Sequence, residues 1–180
     1  MNKFNSIEIV CGPMFSGKTT ALISKINKEI RNNNQVVIFK PHIDDRYSKN
    51  YIVSHDNSKI ECKTIINAEE ILEYMDSYKI FAIDECQLFD INIISVCEKL
   101  AQKNKKIILA GLDNDYKAEP FKQMLGLMKL SNNITKLYAI CVKCGDDASF
   151  SYRLTNETEV VVIGKDEKYE ARCKKCYYNN

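Results

Sequence analysis

Apolar and polar positions along this 180-residue chain switch repeatedly between two periods. The stretch "SIEIV" (6–10) alternates polar with apolar and is rich in β-branched residues, the pattern of a short strand. In "TALISKINKEI" (20–30), Leu22, Ile23, Ile26 and Ile30 recur at spacings of three and four, which predicts a helix. "NNNQ" reads as a turn, and "VVIFKP" (36–41) is an apolar run of buried-strand length. Helical spacing returns in "AEEILEYMDS" at Ile71, Leu72 and Met75. "IFAID" (80–84) reads as a buried strand that ends on carboxylates, "IISVCEKLAQKN" as an amphipathic helix, and "KIILAGL" (106–112) as a further strand. Strands alternating with helices predict an α/β fold, a mainly parallel sheet covered on both faces. Ligands of such sheets bind beyond the carboxyl ends of the strands. The charged stretches fall there: 12–19, 40–46, Asp84–Glu85 and Asp113. No internal repeat or low-complexity linker interrupts the order. Near Tyr138 cysteines and β-type residues take over, which divides the chain into an α/β body over 1–138 and a small tail over 139–180.

Between the first strand and the first helix lies "VCGPMFSGKTT" (10–20), which contains G-x-x-x-x-G-K-T. Gly12 and Gly17 let the backbone turn tightly so that its N–H groups converge on a phosphate chain. Lys18 then reaches the outer phosphates and the Thr19 hydroxyl can ligate magnesium. The helix that follows adds its positive N-terminal end at the same place. Asp84, at the end of an apolar strand, suits the second magnesium-organising position of a phosphate-loop protein. Glu85 has two readings, a solvated charge at a strand end or a general base near the γ-phosphate. Beside a magnesium site a carboxylate stays ionised, because positive charge favours its charged form.

Charge and cysteine content narrow the picture. With 26 basic and 24 acidic residues the chain is too balanced for a dedicated nucleic-acid surface. No apolar run approaches the ~20 residues of a membrane span, and "MNKFNSIEIV" has no signal-peptide core. A cytoplasmic location is therefore expected, where disulfides are rare. The eight cysteines then need another role. "CVKC" and "CKKC" predict one tetrahedral zinc site built from Cys141, Cys144, Cys173 and Cys176, with a redox role for either pair as the alternative. Cysteines 11, 62, 86 and 97 lack partner spacing and are expected to pack. The gap between the pairs exceeds the ~15–20 residues of a simple zinc ribbon. It includes "EVVVIGKDEKYEA", whose tip has few basic residues and suits a substrate lid better than a grip on nucleic acid. An ATPase acting on nucleic acid would need a second lobe that one small core cannot supply. A non-catalytic, nucleotide-dependent interaction module is the other alternative.

The motifs "GPMFSGKTT", "KPHIDDRY", "SHDN", "AIDECQLF", "GLDNDYKAEPF" and the two C-x-x-C pairs around "VVVIG" together resemble the thymidine kinase family, in its zinc-containing type of bacteria and the animal cytosol. The likeness runs from Ile9 to Tyr177, with the motifs in the family's order. It implies a P-loop (RecA-like) sheet flanked by helices, with a C-terminal zinc-ribbon or lasso domain. It also implies transfer of the γ-phosphoryl of ATP to the 5′-hydroxyl of thymidine, with Mg2+ and one structural Zn2+ per chain. ATP contacts are implied at Gly12, Pro13, Met14, Phe15, Ser16, Gly17, Lys18 and Thr19, and at Asp84, Glu85, Cys86 and Gln87. Thr19, Asp84 and Asp44 would organise magnesium. Glu85 would be the catalytic base, with Lys18 and Arg46 assisting at the phosphates. The nucleoside pocket would comprise Met14, Leu88, Leu112, Tyr116, Phe121, Ser151, Val160, Val161, Val162, Ile163, Gly164 and Tyr169. Leu88 and Tyr116 stand where the family commonly has phenylalanine, Cys86 where glycine or alanine is common, and Asn57 and Asn114 where glycine is frequent. The family further implies a homotetramer inhibited by thymidine triphosphate, with neither nucleic acid nor membrane as a partner.

Overall fold

The computed structural model describes residues 6–44, 50–54, 58–164 and 166–179. In chain order, β1 (Ser6–Cys11), α1 (Lys18–Arg31) and β2 (Val36–Pro41) are followed by the short strands β3 (Tyr51–Val53), β4 (Lys59–Glu61) and β5 (Lys63–Ile65). A 3-10 helix (Ala68–Tyr74) leads to β6 (Ile80–Ile83), a 3-10 turn (Cys86–Leu88), α2 (Ile93–Gln102) and β7 (Lys106–Gly111). Then come α3 (Lys122–Leu130), β8 (Asn133–Lys136), β9 (Ala139–Ile140), β10 (Asp147–Ala148), β11 (Phe150–Arg153), β12 (Tyr169–Arg172) and α4 (Lys174–Tyr178).

Six strands form one sheet in the order β5-β2-β6-β7-β1-β8, and every pairing within it is parallel. Because successive side chains on a strand point to opposite faces, the apolar runs feed two cores. Ile7, Ile9, Phe39, Phe81, Ile83, Ile107 and Leu109 face one side and meet Ile71, Ile93, Val96, Leu100, Met124 and Leu127. Val10, Ile38, Ala82, Ile108 and Ala110 face the other and meet Leu22, Ile23 and Ile26 of α1. Each such buried aliphatic side chain contributes roughly 1.5–3 kcal/mol. All central strands carry their carboxyl ends to one edge, so the loops after β1, β2, β6 and β7 converge there.

Two regions differ from the sequence pattern. Residues 68–74 form a 3-10 helix, because Ala68, Ile71 and Tyr74 recur every three residues. That period lines one face of a three-per-turn helix. A capping box of Asn67 and Glu70 starts it. Helix α3 and strand β8 have no counterpart in the apolar pattern. Nine-residue α3 leaves Leu125 exposed among its buried Met124 and Leu127, and edge strand β8 is mostly exposed. Beyond Lys136 the chain leaves the sheet for two small antiparallel ribbons, β9–β10 and β11–β12.

Candidate active site

The glycines at the end of β1 are required by geometry. Gly12 has φ +150°, and a Cβ there would sit 2.4 Å from the Leu137 carbonyl oxygen. Gly17, at φ +79°, turns the chain into α1. Phe15 also takes a positive φ of 64°, and its ring packs against the small core of the cysteine-rich tail. Lys18 Nζ spans the loop and donates to the Pro13 carbonyl at 2.6 Å. Ser16 Oγ donates to the same carbonyl at 2.8 Å. The Thr19 hydroxyl donates to Asp84 Oδ2 at 3.2 Å, which ties the loop to the end of β6.

A cleft of about 310 Å3 opens above this loop. Gly17, Lys18, Thr19, Asp44, Asp84 and Glu85 line it, as a triphosphate-and-metal site requires. Lys40 lines it as well, almost wholly buried at the end of β2. In the sequence it opens the motif "KPHIDDRY" at a strand end. Arg46 and Asn57 lie outside the described residues.

Glu85 adopts left-handed backbone angles (φ 51°, ψ 40°), a conformation that costs a side-chain-bearing residue about 1–2 kcal/mol. Such strain is retained where the surroundings over-determine it, commonly at active sites. Here Gln87 supplies the constraint. Its Nε2 donates to Glu85 Oε2 at 2.6 Å while its Oε1 accepts from the Leu112 N–H at 3.0 Å. That second bond fixes the orientation of the amide. Cys86, implied with its neighbours as an ATP contact, turns its side chain the other way. The buried thiol donates to the Ala110 carbonyl at 2.8 Å and touches Met124 Sδ. It lines neither this cleft nor the adjoining slot, because the left-handed turn at Glu85 points consecutive side chains apart.

Next to the cleft is a narrow apolar slot with about 50 Å3 of free space. Met14, Leu88, Leu112, Tyr116, Phe121, Ser151, Val160, Val161, Val162, Ile163, Gly164 and Tyr169 line it, together with Glu85 and Gln87. The structure thus brings together every implied pocket residue. It adds Asn114 and Asp115 from the loop after β7. Ser151 Oγ accepts from the Met14 N–H at 2.9 Å and so joins the tail to the phosphate loop. Glu85, Met14, Leu112 and Gly164 line both cleft and slot.

The sulfurs of Cys141, Cys144, Cys173 and Cys176 all lie within 4.8 Å of one another, with Cys144 and Cys173 3.6 Å apart. Tetrahedral Zn–S bonds of about 2.3 Å place sulfurs about 3.8 Å apart, so the four donors fit zinc. N–H groups of Cys173, Lys143 and Cys144, aided by the Cys144 thiol, outweigh desolvation and pull Cys141 down to about 6, while without a metal the neighbouring sulfurs hold Cys144 and Cys176 above the ordinary thiol range. Burial pushes Cys62 up to about 11 and Cys97 up to about 12, as suits packing residues.

A phosphate loop tied to an aspartate at the end of β6, with a strained glutamate between the cleft and an adjoining apolar slot, defines a nucleotide-binding phosphotransferase with room for an acceptor. Comparison of the sequence with known families and proteins agrees. The family model for thymidine kinase (TK) matches residues 5–177, and the chain belongs to that family. A thymidine kinase of Rhodothermus sp. (strain ITI 518) is 42% identical over 171 residues, 95% of this chain and 80% of that protein. One from Bacteroides thetaiotaomicron is 43% identical over 171 residues, 95% of this chain and 86% of its own length. Among solved structures, domain III of the Thermotoga maritima replication initiation protein DnaA aligns with a TM-score of 0.45 and 14% identity, covering 76% of this chain and 55% of that one.

Proposed function

We propose that the protein transfers the γ-phosphoryl group of ATP to the 5′-hydroxyl of thymidine, giving dTMP and ADP. The observation that carries this reading is the placement of Glu85, whose side chain borders both the phosphate cleft and the nucleoside slot. A 5′-hydroxyl extending from the slot toward the cleft meets this carboxylate first. The hydroxyl oxygen forms a bond to the γ-phosphorus, the bond to the β–γ bridging oxygen breaks, and the proton passes to Glu85. Gln87 holds the carboxylate in the attacking direction. Lys18 and the loop amides hold the phosphates, and Lys40 adds positive charge on the cleft wall. Thr19, Asp84 and Asp44 would hold Mg2+, which neutralises phosphate charge when bound. Arg46, by the family's motif, assists at the transferring group.

The same reading makes the first 138 residues the ATP-binding unit and residues 139–180 the lid-bearing unit, stapled by one zinc at Cys141, Cys144, Cys173 and Cys176. We extend it to a cytoplasmic homotetramer with thymidine triphosphate as feedback inhibitor, on the strength of family membership. The eight cysteines, none of them in a disulfide, suit a reducing compartment. Among the described residues no helix is long and apolar enough to cross a membrane. The direct test is ADP release by zinc-loaded protein with ATP and magnesium. Turnover should depend on added thymidine; turnover that needs DNA, or no acceptor at all, would overturn the reading.

A further inference from the structure

Residues 157–162, of which Val160, Val161 and Val162 line the slot, form neither helix nor strand, so their backbone groups need other partners. Arg153, the last residue of β11, binds three of their carbonyls. It is buried, yet it lines neither the phosphate cleft nor the nucleoside slot. Its Nη1 donates to the carbonyls of Glu157 (2.9 Å) and Glu159 (2.6 Å). Its Nη2 donates to the Val160 carbonyl (3.2 Å) and the Tyr169 hydroxyl (2.8 Å), and Nε donates to that hydroxyl at 3.2 Å. All five N–H donors of the guanidinium are therefore used. Tyr169 continues the chain of bonds by donating to the Val162 carbonyl at 2.9 Å.

The flat face of the guanidinium is used too. Its carbon lies 3.6 Å from the centroid of the Tyr116 ring. The Tyr116 hydroxyl donates to the Thr158 carbonyl at 3.2 Å, while its own carbonyl accepts from the Tyr177 hydroxyl at 2.6 Å. Arg153, Tyr116 and Tyr169 thus bind the carbonyls of residues 157, 158, 159, 160 and 162.

We infer that Arg153 is the positioning residue of the nucleoside lid: its guanidinium stands in for a β-ladder and sets where Val160, Val162 and Tyr169 lie over the slot. The inference rests on the slot being the nucleoside site. Lysine cannot replace it, because an ammonium has three donors and no planar face to stack. The lid is held by Arg153 and Tyr169 of the tail and by Tyr116 after β7, none of which lines the phosphate cleft, so the effect falls on the nucleoside and spares the triphosphate.

The test uses zinc-loaded full-length protein. R153K should raise the thymidine KM by about tenfold or more, the loss expected for one or two charged hydrogen bonds. The ATP KM and the kcat at saturating thymidine should stay near wild type, and the preference for thymidine over deoxycytidine should narrow. Limited proteolysis within 154–168 should quicken, and thymidine should slow it less than in wild type. Tyr169→Phe removes the hydroxyl shared by Arg153 and Val162 but keeps the ring, so it should shift the same readouts partway. It also serves as the decisive variant where R153K does not fold and retain zinc. A folded R153K, or that substitute, with a thymidine KM within twofold of wild type and unchanged cleavage would overturn the inference. Wild-type protein that fails to phosphorylate thymidine would instead sink the proposed function, leaving the proteolysis comparison to decide the clamp.

Discussion

Glu85 combines three properties that are individually common: burial, a left-handed backbone and an amide partner in Gln87. Together they fix a carboxylate at the join of cleft and slot, where the proposed transfer needs a proton acceptor. Glu85→Gln keeps the shape and still offers Gln87 an acceptor oxygen, so it isolates the loss of basicity. The kcat should fall by ~10²–10⁴-fold with little change in nucleotide or thymidine binding. Steady-state kinetics with equilibrium binding checks this, and a variant keeping more than about a third of wild-type kcat would remove Glu85 from the role. At this scale the phosphate loop was legible because its chemistry depends on a fixed local spacing, G-x-x-x-x-G-K-T. Gln87 was legible only through the family resemblance, and its hold on Glu85 depends on a bond to Leu112, 25 residues away. Arg153 was not legible. Three of its partners are carbonyls, which carry no side-chain signature, on residues that share no period.

Between elements, one polar cluster crosses the sheet-to-helix interface where the apolar pattern allowed only a gap. Glu8 of β1 pairs with Lys25 of α1 at 2.8 Å and with Lys106 of β7 at 2.7 Å, and Lys106 also reaches Glu29 of α1 at 2.9 Å. Burial pushes Glu8 up, but hydrogen bonds from Lys106 and Lys25 outweigh it and bring the carboxyl below its ordinary 4.5. Burial likewise pushes Lys106 down, and bonds to Glu8 and Glu29 raise it above 10.5. The Glu8 contribution to stability is therefore present above pH 4.5 and lost as pH falls through the lowered value. The Lys106 contribution is present below pH 10.5 and lost as pH rises through the raised one. Urea midpoints should fall more steeply from pH 6 to about pH 3.5 in wild type than in Glu8→Gln. Parallel slopes would show that the cluster contributes no pH-dependent stability. The central elements themselves were legible because buried parallel strands are continuous apolar runs and α1 and α2 have clear apolar faces. The 3-10 helix read as a helix but not as its type. Helix α3 and strand β8 were hidden because exposed positions break their periodicity.

Across the whole molecule the four-cysteine knot and the sheet meet at the apolar slot. Phe15 of the phosphate loop packs on the knot's core, Ser151 bonds to Met14, and Tyr177 beside the last ligand bonds to Tyr116. Zinc contributes folding energy outright in such sites. Cys173→Ser should therefore lower bound zinc and weaken thymidine binding, while ATP binding by the α/β body persists; metal analysis and two binding titrations measure this. Full zinc content in that variant would clear Cys173 as a ligand. Base selectivity belongs to this scale as well, since the slot takes walls from the phosphate loop, the loops after β6 and β7, and the lid. The "VVVIG" segment has no polar side chain, so it must read a base through main-chain N–H and C=O groups. Two of its carbonyls, Val160 and Val162, are already bound by Arg153 and Tyr169, which fixes the frame for the rest. Thymine presents an N3–H donor between two acceptor oxygens. Cytosine reverses the pattern at N3 and at its exocyclic amine, so like groups would face each other in a buried site. Sites built to bond one edge reject the wrong one by up to ~10⁴-fold, because unpaired buried polar groups are costly. A purine should be excluded by size, since Met14, Leu88 and Tyr169 narrow the slot. Deoxyuridine lacks only a methyl group, worth roughly 1 kcal/mol of apolar contact. At saturating ATP and magnesium, kcat/KM should therefore rank thymidine first and deoxyuridine next, with deoxycytidine and purine nucleosides far behind. Deoxycytidine within tenfold of thymidine would rule out main-chain readout by the lid.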